Sequence, residues 1–254
     1  MEKSHESRTY LRRYGKHRKK LKECLHVVEN LLFPPRCPVC DKPVPKGLIC
    51  PACEKKLVPI GEQVCFCCGK PLVEEEEYCR SCRKERPSYK RGRALYTYNS
   101  VAAAIHRFKY GGRQEYARFF AGEMADELGD FIRRVNPDGL VPVPLSDRRM
   151  RARGYNQAAL LAKEIGRLTD IPVYTQLVRR VTDTKPQKEL NAKERQNNLK
   201  KAFKIAQNDV KLSTIIIIDD IYTTGSTVNA VAKVLLEAGV REVYYMALSI
   251  GEGC

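Results

Sequence analysis

The sequence predicts an α/β fold, a parallel-sheet domain preceded by a small metal-stabilised cysteine lobe. Three observations predict it. Residues 215–218 are four consecutive isoleucines, and an unbroken β-branched run suits a strand buried on both faces. From Ala94 onward, strand-like and helix-like segments alternate, the pattern of a parallel sheet with crossover helices. Ahead of them, eight cysteines fall into four Cys-x-x-Cys pairs, each able to offer two thiolates to one metal.

Taken in order, residues 1–23 hold nine Lys/Arg and three Glu and read as a mobile basic tail. Leu25, Val28, Leu31 and Leu32 suggest a short amphipathic helix ended by Pro34 and Pro35. Tail and helix make a first segment, 1–30. The cysteine lobe, 37–82, lies in a second segment, 31–90. The pairs are Cys37/Cys40, Cys50/Cys53, Cys65/Cys68 and Cys79/Cys82, with nine residues between the first two pairs and ten between the last two. That symmetry suggests two zinc ribbons in tandem. Sequential pairing is the default: Cys37, Cys40, Cys50 and Cys53 around one Zn²⁺, Cys65, Cys68, Cys79 and Cys82 around another. Crossed pairing stays open, and redox chemistry is the competing use. Four thiolates leave no position for water, so the zinc is structural rather than catalytic. Cys67 sits beside a ligand at the wrong spacing; Cys24 and Cys254 lie outside the pattern. The lobe is too small to fold without metal. Serine at Cys37 or Cys79 is therefore expected to unsettle the lobe and leave the α/β domain folded.

A basic connector follows, with Arg83, Lys84, Arg86, Lys90, Arg91 and Arg93 against Glu85 alone. Tyr89 within it is a candidate for stacking on a nucleobase, whereas Tyr96 and Tyr98 read as core. The acidic run Glu74 to Glu77 argues against its loop touching DNA. The third segment, 91–254, is the α/β domain.

Composition bounds the function. At 254 residues the chain allows one large or two small domains. No apolar run approaches the roughly 20 residues of a membrane span, and the N-terminus is charged rather than apolar. A cytoplasmic location is expected. Net charge is +16, which favours polyanionic partners.

The most informative stretch is Ile215 to Thr227. Its apolar run is read as stopping at Asp219 and Asp220, with a turn following in which Gly225 stands among Thr223, Thr224, Ser226 and Thr227. Val228, Val231, Val234, Leu235 and Ala238 then recur at helical spacing, and Gly239 is a plausible stop. Free N–H groups at the helix start, with the hydroxyls, make a cradle for a phosphate dianion. The two carboxylates suit sugar hydroxyls or a metal instead. A Walker B carboxylate would need a Gly-x-x-x-x-Gly-Lys-Ser/Thr loop, and the chain contains none. The stretch resembles the phosphoribosyl-pyrophosphate (PRPP) motif of type I phosphoribosyltransferases. That resemblance implies that Asp219 and Asp220 hold the ribose hydroxyls, and that Thr223, Thr224, Gly225, Ser226 and Thr227 wrap the 5′-phosphate. Mg²⁺ would accompany PRPP.

Three further segments are placed to meet a ligand. Ile105 to Arg113 carries three fixed charges and a Gly-Gly turn. Leu140 to Leu145 is a short strand followed by Arg148, Arg149, Arg151 and Arg153. Arginines after a strand end suit bidentate phosphate binding, with a solvated basic helix as the competing reading. Arg179 to Lys204 carries nine Lys/Arg and reads either as a mobile lid or as a plain surface loop.

Together these segments resemble the ComF family of competence proteins, also called amidophosphoribosyltransferase-like proteins. The resemblance rests on Leu32 to Cys37, the paired cysteines, Lys109-Tyr-Gly-Gly-Arg113, Val141-Pro-Val-Pro-Leu145, Arg153-Gly-Tyr-Asn-Gln157, Thr184-Lys-Pro-Gln187, Arg195 to Asn198 and Asp219 to Thr227. It implies a double zinc ribbon on a type I phosphoribosyltransferase domain, with Arg148 to Arg153 in a pyrophosphate-facing loop and Thr184 to Asn198 as a flexible loop. It further implies single-stranded DNA and competence-machinery proteins as partners, reached at the inner membrane face. An alternative is an active transferase that moves phosphoribosyl from PRPP to an unidentified acceptor and releases pyrophosphate. No catalytic residue and no acceptor pocket can be named from the sequence.

Overall fold

The computed structural model describes residues 34–73, 76–181, 202–206 and 211–251. The basic tail, the helix expected over Leu25 to Leu32, Thr184 to Asn198, Cys24 and Cys254 lie outside the described residues.

The two cysteine modules share one local plan. In each, the first cysteine N–H closes a turn on a lysine carbonyl: Cys37 to Lys42 at 2.9 Å, Cys65 to Lys70 at 2.7 Å. Each turn carries one left-handed residue, Asp41 (φ +59°) or Gly69 (φ +66°). At the second position only glycine fits, because a Cβ there would lie 2.7 Å from the Gly92 carbonyl oxygen. Each later pair opens a short helix, α1 (Pro51–Glu54) after Cys50 and α2 (Arg80–Lys84) after Cys79.

The remainder is a parallel sheet covered on both faces. Strands β1 (Arg91–Thr97), β2 (Gly139–Pro142), β5 (Thr214–Tyr222) and β6 (Glu242–Ile250) lie in the order β1-β6-β5-β2, all parallel. Side chains alternate along a strand. Ile215 and Ile217 therefore enter one core and Ile216 and Ile218 the other, all four fully buried. This is why the sequence shows an unbroken apolar run. Helices α3 (Tyr98–Tyr110), α4 (Tyr116–Glu127), α5 (Gly129–Val135) and α7 (Gln157–Thr169) pack over Ile216 and Ile218. Helix α8 (Ser226–Glu237) covers the opposite face. Between β2 and α7 lies α6 (Asp147–Arg153). A small antiparallel pair, β3 (Val178–Arg180) with β4 (Phe203–Ile205), also joins the α8 side.

The modules dock on opposite faces. Module one meets α3 and α4: Arg107 Nη2 donates to the carbonyls of Pro38 (3.0 Å) and Val39 (2.7 Å), and Tyr116 Oη donates to Asp41 Oδ1 at 2.7 Å. Arg113 pairs with the same Asp41 carboxylate at 3.0 Å. Module two is fused to the α8 side. Cys65, Cys67, Cys68, Cys79 and Cys82 share one buried cluster with Ile215, Ile217 and Tyr245. Tyr245 Oη donates to the Cys68 carbonyl at 2.5 Å. The Tyr245 ring stacks on Tyr222 at 4.7 Å, and Tyr89 closes the group with its hydroxyl 2.7 Å from that of Tyr222. The cysteine lobe is therefore not one body apart from the sheet, as the sequence suggested. Gly92 N–H donates to Cys67 O and Ile60 N–H to Leu95 O, both at 2.8 Å, so the linker and module two cover the outer edge of β1.

Candidate functional site

At the carboxyl ends of the strands a cleft of about 210 Å³ gathers side chains from five parts of the chain. Ligands of open α/β sheets sit at this end. β5 does not stop at its acids: it pairs with β6 through Tyr222–Ile250, so Asp219 and Asp220 project from the strand itself. Strand alternation sends them to opposite faces. Asp220 thereby meets Lys109, near the C-terminus of α3, with Nζ 2.8 Å from Oδ2 and both side chains largely buried. Asp219 Oδ1 accepts from the Asp220 backbone N–H at 2.8 Å. Burial, then the neighbouring Asp220 charge, push the Asp219 carboxyl up to about 8, against the pull of Lys109.

The loop 223–227 turns at Gly225, whose φ is +75°. A Cβ there would fall 2.1 Å from Tyr222 Oη, and that hydroxyl is held by Tyr89. Thr224 and Ser226 hydroxyls lie 2.8 Å apart, and Thr223 and Thr227 line the cleft. Gly225 offers α8 no side-chain cap; the Ser226 N–H reaches Thr224 Oγ1 at 3.4 Å, and the next first-turn N–H groups stay available to an anion. Gly225→Ala is expected to cost roughly 1–3 kcal/mol and to distort this loop. Calorimetry of the variant beside the parent checks the stability loss.

Of the four arginines expected on the pyrophosphate side, Arg149 and Arg153 line the cleft and Arg148 and Arg151 do not. Positions four apart share a helix face, so α6 turns one pair inward. Arg153 is held by Gln157 Oε1 and Tyr110 Oη, each at 3.0 Å. Asn156 accepts from the Ala158 N–H at 3.0 Å to cap α7 and donates to Val143 O at 2.9 Å, fixing the approach of α7 to the cleft. Arg180, just before the undescribed 182–201 segment, also lines it. Lys109 and Gln157 fell within motifs visible in the sequence, but their placement beside the acids depends on tertiary packing.

The eight metal-candidate cysteines form two tetrads, Cys37/Cys40/Cys50/Cys53 and Cys65/Cys68/Cys79/Cys82, with all Sγ atoms of a tetrad within 4.8 Å of one another. Sequential pairing is thus the one adopted. Zinc held tetrahedrally by thiolates at ~2.3 Å needs sulfurs about 3.8 Å apart. Cys40 and Cys50 stand at 3.7 Å, Cys68 and Cys79 at 3.6 Å, so both tetrads suit a structural zinc ion. Burial raises the Cys37 thiol, but backbone donors at Cys50, Cys40 and Val39 outweigh it and bring it down to about 7, whereas burial and then the neighbouring thiols push Cys53 up to about 12. Cys67 is buried outside its tetrad.

The connector does not stay together as one basic surface. Tyr89 is 2% exposed and presents no face to a base, correcting the sequence reading. Tyr96 is buried, but Tyr98 is at the surface, not in the core. Arg83 pairs with Glu76 at 2.8 Å, and Lys90 pairs with Glu242. Among the described residues no helix is long and apolar enough to cross a membrane.

Comparison with known proteins supplies the context. Residues 28–83 match the double zinc ribbon domain and residues 118–249 the phosphoribosyl transferase domain. The chain is 33% identical over 212 residues to competence protein F of Haemophilus influenzae, covering 81% of this chain and 92% of that one. It is 32% identical over 206 residues to competence protein ComFC of Bacillus subtilis, covering 77% and 80%. It is 31% identical over 224 residues to the DNA utilization protein YhgH of Escherichia coli, covering 86% and 98%.

Proposed function

Because the chain belongs to the ComF family, a double zinc ribbon joined to a phosphoribosyltransferase domain, we propose that it binds PRPP in the cleft and handles single-stranded DNA. One observation carries the PRPP reading: two carboxylates, the Thr223 and Thr227 ends of the hydroxyl-rich loop, and Lys109, Arg149 and Arg153 converge on one cleft, while Thr224, Gly225 and Ser226 line the cavity on the loop's other side. In this reading Asp219 and Asp220 accept from the ribose hydroxyls. Residues 223–227 hold the 5′-phosphate, while Arg149 and Arg153 face the pyrophosphate. Mg²⁺ would neutralise pyrophosphate charge as PRPP enters. The DNA reading is supported by the net charge of +16 and by relatives bearing competence and DNA-utilization names.

Turnover is a second reading. Cations on the leaving-group side are what departure of pyrophosphate demands, and the cleft holds them. PRPP with Mg²⁺ is expected to raise the melting temperature by mass action, and an unmoved melting point at millimolar ligand would defeat the PRPP assignment. Pyrophosphate release across a panel of bases and amines separates binding from transfer.

A further inference from the structure

A second cationic feature lies away from the cleft. Arg91 and Arg93 leave the same side of β1, and Arg134 of α5 comes close to both. Arg93 is lowered from its ordinary pKa by burial, then by Arg91 and Arg134; Arg91 likewise by burial, then Arg134. None of the three forms an ion pair among the described residues; Arg134 Nε reaches only the Asp130 carbonyl, at 3.2 Å. Arg91 Nε and Arg93 Nη1 are buried and have no acceptor. Clustered guanidiniums with unsatisfied buried donors are unfavourable unless an anion completes them.

The cluster opens onto module two. The Arg91 guanidinium lies 4.1 Å from the Phe66 ring centroid, Phe66 meets Tyr78 edge-on at 6.4 Å, and Arg86 covers Tyr78 at 3.5 Å. Phe66 is 53% exposed, in a turn whose neighbouring cysteines are buried. A guanidinium lying over a ring uses its face and keeps in-plane N–H donors for phosphate oxygens. Cation and ring thus alternate along this row, the arrangement that tracks a backbone while stacking bases. The row takes Tyr78 at the end of the acidic run, where Glu76 is already paired with Arg83, and so revises the expectation that this loop stays wholly clear of DNA. Beyond Arg86 the row meets a second cavity, about 180 Å³, whose far wall is Thr224 and Ser226 of the phosphate loop.

Resting on the DNA-handling reading above, we infer that single-stranded DNA runs from the α5 side over the β1 edge, along Arg93, Arg134 and Arg91, and onto module two at Phe66, Tyr78 and Arg86. Phosphates meet the guanidiniums and a base stacks on Phe66. The row leads toward the outer side of the phosphate loop. The connector alone does not make this surface: Phe66 comes from a cysteine turn and Arg134 from α5, while Lys90 is paired and Tyr89 is buried.

The test uses the full chain and a fluorescent oligothymidylate, with affinity measured by anisotropy across a salt series. Arg91→Gln with Arg134→Gln is expected to weaken binding at least tenfold. The log-affinity against log-salt slope should flatten by about 1.4, roughly 0.7 for each lost phosphate contact. Phe66→Ala should weaken binding about fivefold or more with the slope unchanged, since stacking is not ionic. Arg118→Gln with Arg167→Gln, at exposed arginines of α4 and α7, is the charge-matched control and should bind as the parent does. Zinc content and melting temperature exclude variants that misfold. In the unsubstituted protein, light-induced crosslinking of 5-iododeoxyuridine oligonucleotides should map to Phe66 or Tyr78. Parent binding that both variants retain, or crosslinks confined elsewhere, overturns this path and leaves DNA handling standing. Failure of the parent to bind at all overturns both.

Discussion

Cys79→Ser is expected to unfold far more than the module that contains it. The Cys79 tetrad belongs to the same buried cluster as Ile215, Ile217 and Tyr245, and Cys68 receives the Tyr245 hydroxyl. A structural zinc site contributes on the order of 10 kcal/mol, against a total stability of about 5–15 kcal/mol for a typical domain. The variant should lose one zinc and more than roughly 10 °C of melting temperature. It should also loosen the phosphate loop, because Tyr222 abuts Gly225. Cys37→Ser should behave differently. The first tetrad has its own small cluster of Cys37, Val44 and Cys53 and touches the domain through the partly buried Val39, Leu48 and Ile49 and through polar contacts to Arg107, Arg113 and Tyr116, with no cysteine of its own in the domain core. It should lose one zinc and only a few degrees. Elemental analysis with calorimetry decides the matter; equal losses from the two variants would refute the asymmetry.

Asp219→Asn combined with Asp220→Asn is expected to abolish PRPP binding, while the two single variants should move stability in opposite directions. Removing Asp220 leaves Lys109 without its 2.8 Å partner in a largely buried position, a loss of up to about 3 kcal/mol. Asp219 is the reverse case. Its folded carboxyl holds a proton to about pH 8, whereas unfolded aspartate releases it near 4. Between those values the folded state binds more protons, so this group's contribution to stability falls as pH rises from about 4 to 8. Asparagine removes that penalty, so the Asp219 variant should lie close to the parent near pH 4 and exceed it near pH 8. Denaturant titrations at the two pH values check this; a stability gap independent of pH would exclude a raised Asp219.

What the sequence disclosed was whatever local chemistry dictates. Four isoleucines announced a strand with two covered faces, and the spacing of paired cysteines announced two tetrads. The hydroxyl-glycine loop announced a turn ahead of a helix. Hidden features join residues distant along the chain. Lys109 and Asp220 meet only because α3 ends where β5 does. Arg134 reaches Arg91 only after α5 folds back. Tyr89 looked available because its neighbours are basic, yet Tyr222 and Tyr245 claim its ring. One signal was present and unread: Gly92 sits inside the basic connector, and a Cβ there would fall 1.8 Å from a Tyr245 ring atom. A glycine in a strand often marks such a close approach.

The covering of β1 reaches into the protein's life in the cell. One lateral side of the sheet is occupied by the bridge from Leu140 to Val173. The other is shielded by residues whose position depends on metal-held turns. An apo chain would present Arg91–Thr97 as a bare strand, its amides ready to pair with the same strand of another copy. Zinc supply would then set not only whether the protein folds but whether its failures are recoverable. At low abundance the stripped chain can reload and close, whereas at high abundance it meets its own kind first.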